Sequence, residues 1–228
     1  MSEIAIPVVT LDGPAGAGKG TVSRRVAQAL GWTYLDSGAL YRAVGIAASW
    51  EGIGLDEPEN LAACAARTDI KFVTQSHEEP SIFVNGKEAT AEIRSELAGS
   101  MASALAAQPL VRQALVALQR GFRQAPGLVA DGRDMGTVIF PDAPYKFFLT
   151  ASPLERAQRR HKQLMEKGVS VKLDALLQEI VARDERDANR AVAPLRPADD
   201  AIVIDSTAMP IDAVIAQVLS ALPTHFRR

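Results

Sequence analysis

Gly13-Pro-Ala-Gly-Ala-Gly-Lys-Gly-Thr21 directly follows the apolar run Ile6-Pro-Val-Val-Thr-Leu-Asp12, and this stretch decides the fold. A short strand that leads into a glycine-rich loop ending in lysine is the pattern of a phosphate-binding loop, or P-loop. The glycines let successive backbone N–H groups turn toward one anion, and Lys19 adds a mobile positive charge. The helix that follows would point the positive end of its dipole at the same anion. The pattern therefore predicts that the chain binds a nucleoside triphosphate, with a chance glycine-rich turn as the alternative.

One position departs from the usual P-loop pattern, in which Ser or Thr directly follows the lysine. Here Gly20 intervenes and Thr21 comes next, so the hydroxyl that would help to hold magnesium is displaced by one residue. We expect Mg²⁺ to arrive with the triphosphate, near Thr21, and we predict no separate metal site in the protein. The three histidines are scattered and lack partners at ligand spacing, which favours a surface location for each: His77, His161 and His225.

Composition limits the class of protein. The 228 residues suffice for one α/β domain with small insertions, or at most two modest domains. A formal net charge of −2 argues against bulk nucleic-acid binding, which usually needs a basic surface. Cys64 is the only cysteine, which excludes an intrachain disulfide and a cysteine-cluster metal site. Because no signal-like N-terminus and no long apolar run occurs, we expect a cytoplasmic protein with no membrane partner.

Apolar segments alternate with helical patterns along the chain, which favours a parallel sheet covered on both faces. We predict strands at about 4–11, 32–35, 127–131, 146–149 and 201–205. We predict helices at about 19–30, 39–50, 153–167, 173–191 and 211–222, and a helical region over 91–123 that is broken at Pro109. Segments 70–73 and 81–84 flank the polar stretch 74–80 and are predicted to form a small antiparallel hairpin, with Asn85-Gly86 as a further turn.

Polar residues follow two of the predicted strands, and ligands bind at the carboxyl ends of strands in an open parallel sheet. Asp36-Ser37-Gly38 closes one strand, and Asp131-Gly132-Arg133-Asp134 closes another. Asp131 has the position of a magnesium-side carboxylate, although a salt-bridged or turn-forming aspartate is the alternative. Arg133 and Asp134 are candidates for ligand binding, and a surface ion pair of little energetic value is the alternative.

Two consecutive predicted helices carry arginine stripes. Arg183, Arg186, Asp187 and Arg190 have the spacing of one helix face, and so do Arg156, Arg159 and Arg160 in the preceding helix. Arginine binds phosphate oxygens through a planar fork and stays charged, so the pair of helices would suit a mobile cover over a polyphosphate. A solvated charged face is the alternative for each stripe.

Five motifs together resemble the bacterial cytidylate kinases, a family of P-loop nucleoside monophosphate kinases. They are residues 13–21, Asp36-Ser-Gly-Ala-Leu-Tyr-Arg42, Ala130-Asp-Gly-Arg-Asp-Met-Gly-Thr-Val138, Phe140-Pro-Asp-Ala-Pro144 and Arg183-Asp-Glu-Arg-Asp-Ala-Asn-Arg-Ala-Val-Ala-Pro-Leu195. The resemblance spans essentially the whole chain, and Gly20 before Thr21 is the usual form in that family.

The resemblance implies a three-layer P-loop α/β fold with a five-stranded parallel sheet flanked by helices. It also implies a small β-containing monophosphate-binding insertion and a helical lid. The corresponding division of the single kinase chain is a core at about 1–38, 98–152 and 192–228, the insertion at about 39–97 and the lid at about 153–191.

The resemblance further implies transfer of the γ-phosphoryl group of ATP to CMP or dCMP, giving ADP and CDP or dCDP, in pyrimidine nucleotide metabolism. The loop residues implied to bind ATP, with Mg²⁺, are Gly13, Pro14, Ala15, Gly16, Ala17, Gly18, Lys19, Gly20 and Thr21. The residues implied to hold the acceptor phosphate are Arg42, Arg133 and Arg190, those at the cytosine edge are Ser37, Arg112 and Asp134, and those near the ribose are Ser103, Arg183 and Asp187. The implied catalytic residues are Lys19, Arg133 and Arg190, and Arg156, Arg159 and Arg160 fall in the lid.

Two other functions share part of this pattern. Another small-molecule P-loop kinase, acting on uridylate, adenylate or a non-nucleotide metabolite, would need the loop but not both strand-end motifs. A nucleotide-dependent switch would hydrolyse ATP slowly and need a residue that positions water, for which the sequence shows no clear candidate. Since every expected part of the site lies on one chain, we expect a monomer.

Overall fold

The computed structural model describes residues 6–73, 80–166 and 168–226. The chain divides into two compact units. We call Met1–Leu35 together with Arg120–Arg228 the sheet unit, and Asp36–Gln119 the helical unit. Apart from Pro80, the predicted polar stretch 74–80 lies outside the described residues, and so does His77.

Strands alternate with helices in most of the sheet unit, whereas the helical unit contains runs of consecutive helices and of consecutive strands. The strands are β1 (Val8–Asp12), β2 (Thr33–Asp36), β3 (Ile70–Val73), β4 (Ser81–Val84), β5 (Lys87–Glu88), β6 (Leu128–Gly132), β7 (Tyr145–Thr150) and β8 (Ile202–Asp205). The helices are α1 (Lys19–Leu30), α2 (Ser37–Trp50), α3 (Pro58–Arg67), α4 (Thr90–Ile93), α5 (Glu96–Leu105), α6 (Pro109–Gly121), α7 (Pro153–Glu166), α8 (Leu173–Ala188) and α9 (Ile211–Ser220). A short π-helix covers Met135–Ile139, and a 3₁₀ turn covers Thr224–Phe226.

A five-stranded sheet in the order β2-β6-β1-β7-β8 forms the centre of the sheet unit. β1 pairs in parallel with β6 on one side and with β7 on the other, and β7 pairs in parallel with β8. All five residues of β1 are buried, as expected for a central strand covered on both faces. The predicted α/β fold with a five-stranded parallel sheet is therefore confirmed.

Helices α1 and α9 pack together and bury their apolar residues with those of the sheet. In α1 the buried side chains recur at helical spacing, at Val22, Val26 and Leu30. Gly31 ends this helix in the left-handed conformation, with φ of 68°, and its N–H donates to carbonyl oxygens of the last turn. The sequence placed both the start and the end of this helix correctly.

The helical unit is built around α2 and α5, which pack along each other. Their small side chains and those of α3 form a core that includes Val44, Leu61, Ala102 and Leu105. The predicted hairpin is present: β3 pairs antiparallel with β4, and the turn Asn85-Gly86 leads into β5. Both turn residues have positive φ, 50° and 79°, as a tight hairpin turn requires.

The structure differs from the sequence-based expectations in several elements. The helix α3, the short strand β5, the π-helix Met135–Ile139 and the 3₁₀ turn Thr224–Phe226 were not predicted. The helical region predicted over 91–123 with one break at Pro109 consists of three helices, α4, α5 and α6. The helix predicted over 173–191 ends at Ala188, so its C-terminal boundary was wrong and Arg190 lies beyond it. The functional division into core, insertion and lid stays a prediction.

Among the described residues, no single helix has the length and apolar content needed to cross a bilayer, although α5 and α6, bent by 103°, pass that test as a pair.

Candidate active site

The glycine-rich loop connects the end of β1 to the start of α1. Gly13 and Gly16 have φ of 145° and 78°, in the range that side chains disfavour. A Cβ atom at Gly13 would lie 1.9 Å from the carbonyl oxygen of Leu149, so only glycine fits there. The first turn of α1 contains no acidic residue, so its amide groups and dipole favour an anion.

Lys19 is the first residue of α1 and is only 5% exposed. Its Nζ donates a hydrogen bond of 2.8 Å to the carbonyl oxygen of Pro14, within the loop. Burial lowers the pKa of Lys19 to about 7, and the nearby Arg133 lowers it further, whereas Asp131 and Asp12 oppose the shift. A phosphate oxygen beside Nζ would raise the pKa of Lys19 again and favour its charged form. The ammonium group would then pair with the bound anion.

Oxygen donors that suit Mg²⁺ lie next to the loop. Asp131, in β6, is buried, and the Tyr34 hydroxyl donates to its Oδ2 over 3.4 Å. The same Oδ2 would lie 3.5 Å from a Cβ atom at Gly20, which places this carboxylate beside the first turn of α1. Mg²⁺ is commonly held by one or two protein oxygens plus substrate phosphates, so Asp131 and the exposed Thr21 fit an ion that arrives with ATP. In the described part of the chain, no cluster of three or more His, Cys, Asp or Glu could hold a metal ion by itself.

The end of β6 carries Arg133 and Asp134, directly beside the end of β1, because Asp12 is paired with Gly132. Arg133 Nε donates to Asp187 Oδ2 over 3.3 Å, and its Nη1 donates to the Gly132 carbonyl. Asp134 is also buried. Both residues therefore stand at the carboxyl edge of the sheet, on the strand next to the one that leads into the glycine-rich loop.

Two of the predicted arginines donate hydrogen bonds to the same buried carboxylate. Asp187, in the last turn of α8, is 1% exposed and accepts from both Arg133 Nε and Arg190 Nη2. The Arg190 side chain is 5% exposed although the residue lies after the helix end. Arg183 is half-buried on the same helix, whereas Arg186 is exposed and donates to the Ala182 carbonyl. The structure thus groups Arg133, Asp187 and Arg190, and their role in binding an anion stays a prediction.

Arg156, in α7, is 2% exposed and makes three kinds of contact within the sheet unit. Its Nη1 donates to the Ala15 carbonyl over 2.9 Å, and its Nε donates to the Ala151 carbonyl, also over 2.9 Å. Its guanidinium also forms an ion pair with Asp184 of α8. Arg156 therefore connects the glycine-rich loop to both helices of the predicted lid.

The other two arginines of α7 differ from Arg156 in their contacts. Arg159 donates to Glu155 and to the carbonyl oxygen of Ser206, whose own hydroxyl donates to the Ala17 carbonyl over 3.2 Å. Arg160 donates to Gln163 over 3.4 Å. A role for any of the three in the transfer stays a prediction.

Sequence reasoning missed Asp12 as a site residue. It is the last residue of β1 and 4% exposed. Burial raises its pKa to about 7, with the Asp134 charge acting in the same direction and Lys19 acting against it. The feature of the sequence that could have identified Asp12 is a carboxylate at the end of an otherwise apolar predicted strand.

The helical unit carries the remaining predicted residues. Ser37 begins α2 and is buried, and the preceding Asp36 caps that helix by accepting from Ala39 N over 2.9 Å. Arg42 lies in α2, and its Nε is buried without a hydrogen-bond partner among the described residues. The two others are also buried, Ser103 in α5 and Arg112 in α6.

A glycine-rich loop between a central parallel strand and a lysine-headed helix places the chain in the P-loop class of α/β proteins. A model of the cytidylate kinase family matches residues 9–224. The chain belongs to the cytidylate kinase family and is thus a nucleotide kinase, an enzyme that transfers phosphoryl groups.

Solved structures of other proteins align with this chain at low sequence identity. A gluconokinase from Sinorhizobium meliloti 1021 is 17% identical, over 96% of this chain and 92% of its own, with a TM-score of 0.43. A shikimate kinase from Bacteroides thetaiotaomicron is 12% identical, over 95% of this chain and 98% of its own, with a TM-score of 0.46. The family assignment rests on the family match, not on these similarities.

Proposed function

We propose that the enzyme transfers the γ-phosphoryl group of ATP to CMP or dCMP, giving ADP and CDP or dCDP. One observation carries the proposal beyond the family match. The loop for the donor phosphates follows β1, and Arg133 follows the neighbouring strand β6, at the point where Asp12 pairs with Gly132. Two anion-binding elements on adjacent strands of one sheet suit a reaction between two phosphates.

The arginine cluster supports an acceptor phosphate. Arg133 and Arg190 both donate to the carboxylate of Asp187, which brings two guanidinium groups close together. A phosphate monoester would supply further negative charge and several acceptor oxygens to these groups. Arg42 in the helical unit has a buried Nε that no described residue accepts from, which also favours an anionic ligand.

Cytosine recognition is assigned to Ser37, Arg112 and Asp134. The base presents an amine donor beside the ring N3 and the O2 acceptor, and a carboxylate with an arginine complements that edge. Uracil would face the carboxylate with a carbonyl oxygen, leaving buried acceptors unpaired at a cost of about 1–3 kcal/mol. Ser103, Arg183 and Asp187 are assigned to the ribose hydroxyls.

Direct in-line transfer needs little covalent chemistry from the protein. The acceptor phosphate carries its own nucleophilic oxygens, so no separate catalytic base is required. Lys19, Arg133 and Arg190 stabilise negative charge on the transferring group, and the amides of the loop orient the donor. Mg²⁺ bound with ATP supplies further neutralisation of charge on the β- and γ-phosphate oxygens. This activity belongs to pyrimidine nucleotide metabolism, and we propose that a cytoplasmic monomer performs it.

Release of ADP in the presence of different monophosphates tests the proposal. We expect CMP and dCMP to accelerate ADP release strongly, and kcat/KM for CMP to exceed that for UMP by about 10- to 100-fold. AMP and GMP serve as purine comparisons, and we expect slower release of ADP with either of them than with CMP. ADP release that no monophosphate changes would exclude the kinase activity and favour a nucleotide-dependent switch, while a preference for UMP or AMP would assign another acceptor.

Replacement of Asp134 by Asn tests the recognition of cytosine. The amide can present either an acceptor to the cytosine amine or a donor to the uracil carbonyl, so we expect the CMP-to-UMP ratio of kcat/KM to fall by about tenfold. Asp142→Asn is the control, because Asp142 pairs with Arg123 on the surface of the same unit. An unchanged ratio in Asp134→Asn would remove Asp134 from the base contacts.

A further inference from the structure

We propose that Asp12 is a positioning residue that fixes the segment bearing Arg133 and Asp134 against the end of β1, an inference that rests on the proposed function. The segment in question is residues 132–136. Asp12 would thereby keep the acceptor-side groups in register with the glycine-rich loop that begins at Gly13.

Both carboxylate oxygens of Asp12 are used in this contact. Oδ1 accepts from the backbone N–H of Met135 over 2.8 Å, and Oδ2 accepts from the N–H of Gly136, also over 2.8 Å. These two amides open the π-helix, and the first amides of a helix have no partner within it. The carboxylate therefore satisfies two buried donors that would otherwise be unpaired, 123 and 124 residues away in the chain.

Packing at Gly136 keeps this segment close to β1. A Cβ atom at Gly136 would lie 2.8 Å from Thr10 Oγ1 and 3.2 Å from Lys146 Cδ, so the backbone approaches the strand too closely for a side chain. Short π-helical turns commonly occur at functional sites, where they set the direction of neighbouring side chains. Here the turn directly follows Arg133 and Asp134, so a shift of its first amides would move both.

The start of the glycine-rich loop is held by backbone pairing that does not involve the Asp12 side chain. Loss of that side chain should therefore affect the use of CMP more than the use of ATP. The backbone of Asp12 is held by its pairing with Gly132 on one side and with Phe148 on the other. Loss of the side chain would leave that pairing and the start of the loop in place. The segment 132–136 would lose two of its hydrogen bonds. We therefore expect weaker use of CMP with little change in the use of ATP.

The chain retains this carboxylate although burial disfavours its charge, as the raised pKa of about 7 shows. The charged groups that face it are Lys19 at the start of α1, which favours the ionised form, and Asp134 after β6, which opposes it.

The test compares Asp12→Asn with the native enzyme. The Asn side chain keeps one acceptor but turns a donor toward the second amide. We expect kcat/KM for CMP to fall by about 10- to 100-fold, because small displacements of binding groups have effects of that size. KM for ATP should stay within about threefold of the native value, and Asp142→Asn should leave both constants unchanged. Amide hydrogen exchange at Met135 and Gly136 should be faster in Asp12→Asn than in the native protein.

Native kcat/KM for CMP in a folded Asp12→Asn protein would overturn the proposal, and so would equal losses for CMP and ATP. If Asp12→Asn does not fold, Asp12→Ser carries the same expectation, since its hydroxyl can accept from one of the two amides. Failure of the proposed function is a different result: the native enzyme would then not release ADP with CMP. In that case, hydrogen exchange at the Met135 and Gly136 amides that is as slow in Asp12→Asn as in the native protein would still overturn the positioning role of Asp12.

Discussion

Replacing Lys19 with Ala is expected to lower kcat by about 10³-fold, since removal of one preorganised charge or donor from a transition state has effects of that order. Lys19 is buried at the start of α1 and held by the Pro14 carbonyl, so its ammonium group reaches the loop without entering solvent. Its charge would act on the oxygens of the transferring phosphate, over which negative charge is spread during in-line transfer. Single-turnover rates with ATP and CMP measure the effect.

The same variant should remain folded. Burial lowers the pKa of Lys19 to about 7, so between pH 7 and its ordinary value of 10.5 the unfolded chain binds more protons than the native one. The stability of the native protein therefore rises with pH across this window, because removing the proton from this amine on folding costs less free energy at higher pH. Lys19→Ala lacks this contribution. The Tm of Lys19→Ala minus the Tm of the native enzyme should therefore be highest at pH 7 and should decrease toward pH 10.

Lys71→Ala is the control for Lys19→Ala, because Lys71 is an exposed lysine that pairs with Asp69 in the helical unit. We expect native kcat and the native dependence of Tm on pH in that control. Lys19→Ala with near-native kcat would contradict the catalytic role of the lysine. A collapse of Tm in Lys19→Ala at every pH would instead show that the residue serves mainly to hold the loop.

The sequence predicted the elements whose signals are local. The apolar runs before Gly13 and Asp131 specify buried strands, and the glycine that caps α1 specifies where that helix ends. The parallel sheet followed from strands that alternate with helices, since such strands cannot pair as hairpins. The hairpin around Asn85-Gly86 was predictable because few dipeptides accept positive φ at both positions.

The contacts that were missed join residues far apart in the chain. The carboxylate of Asp12 meets the amides of residues more than 120 positions later, and Arg156 reaches the Ala15 carbonyl across 141 positions. An arginine stripe on α7 looked like a solvated or mobile face, because periodicity does not show which arginine is buried. The early end of α8 at Ala188 was likewise not visible, since arginine and alanine continue a helical pattern beyond it.

Asp187→Asn is the substitution expected to affect both binding and stability. Asp187 is 1% exposed and is the carboxylate between Arg133 and Arg190. Its loss would leave two guanidinium groups close together without their shared negative charge, and removing one partner from such a buried set costs about 3–5 kcal/mol. The amide oxygen still accepts one hydrogen bond, so we expect the lower end of that range, measured as the free energy of unfolding.

Binding of CMP separates a structural ion-pair cluster from an acceptor site in the same variant. We expect kcat/KM for CMP to fall by about 10³-fold in Asp187→Asn, because the charge that positions both arginines is lost and one of the two proposed acceptor oxygens for the ribose becomes a donor. Glu185→Gln, an exposed change on the same helix, should behave as the native enzyme. Because CMP binding weakens, the same concentration of CMP should raise the Tm of Asp187→Asn less than that of Glu185→Gln. Equal Tm shifts in the two variants would show that the cluster is structural and that the acceptor phosphate binds elsewhere.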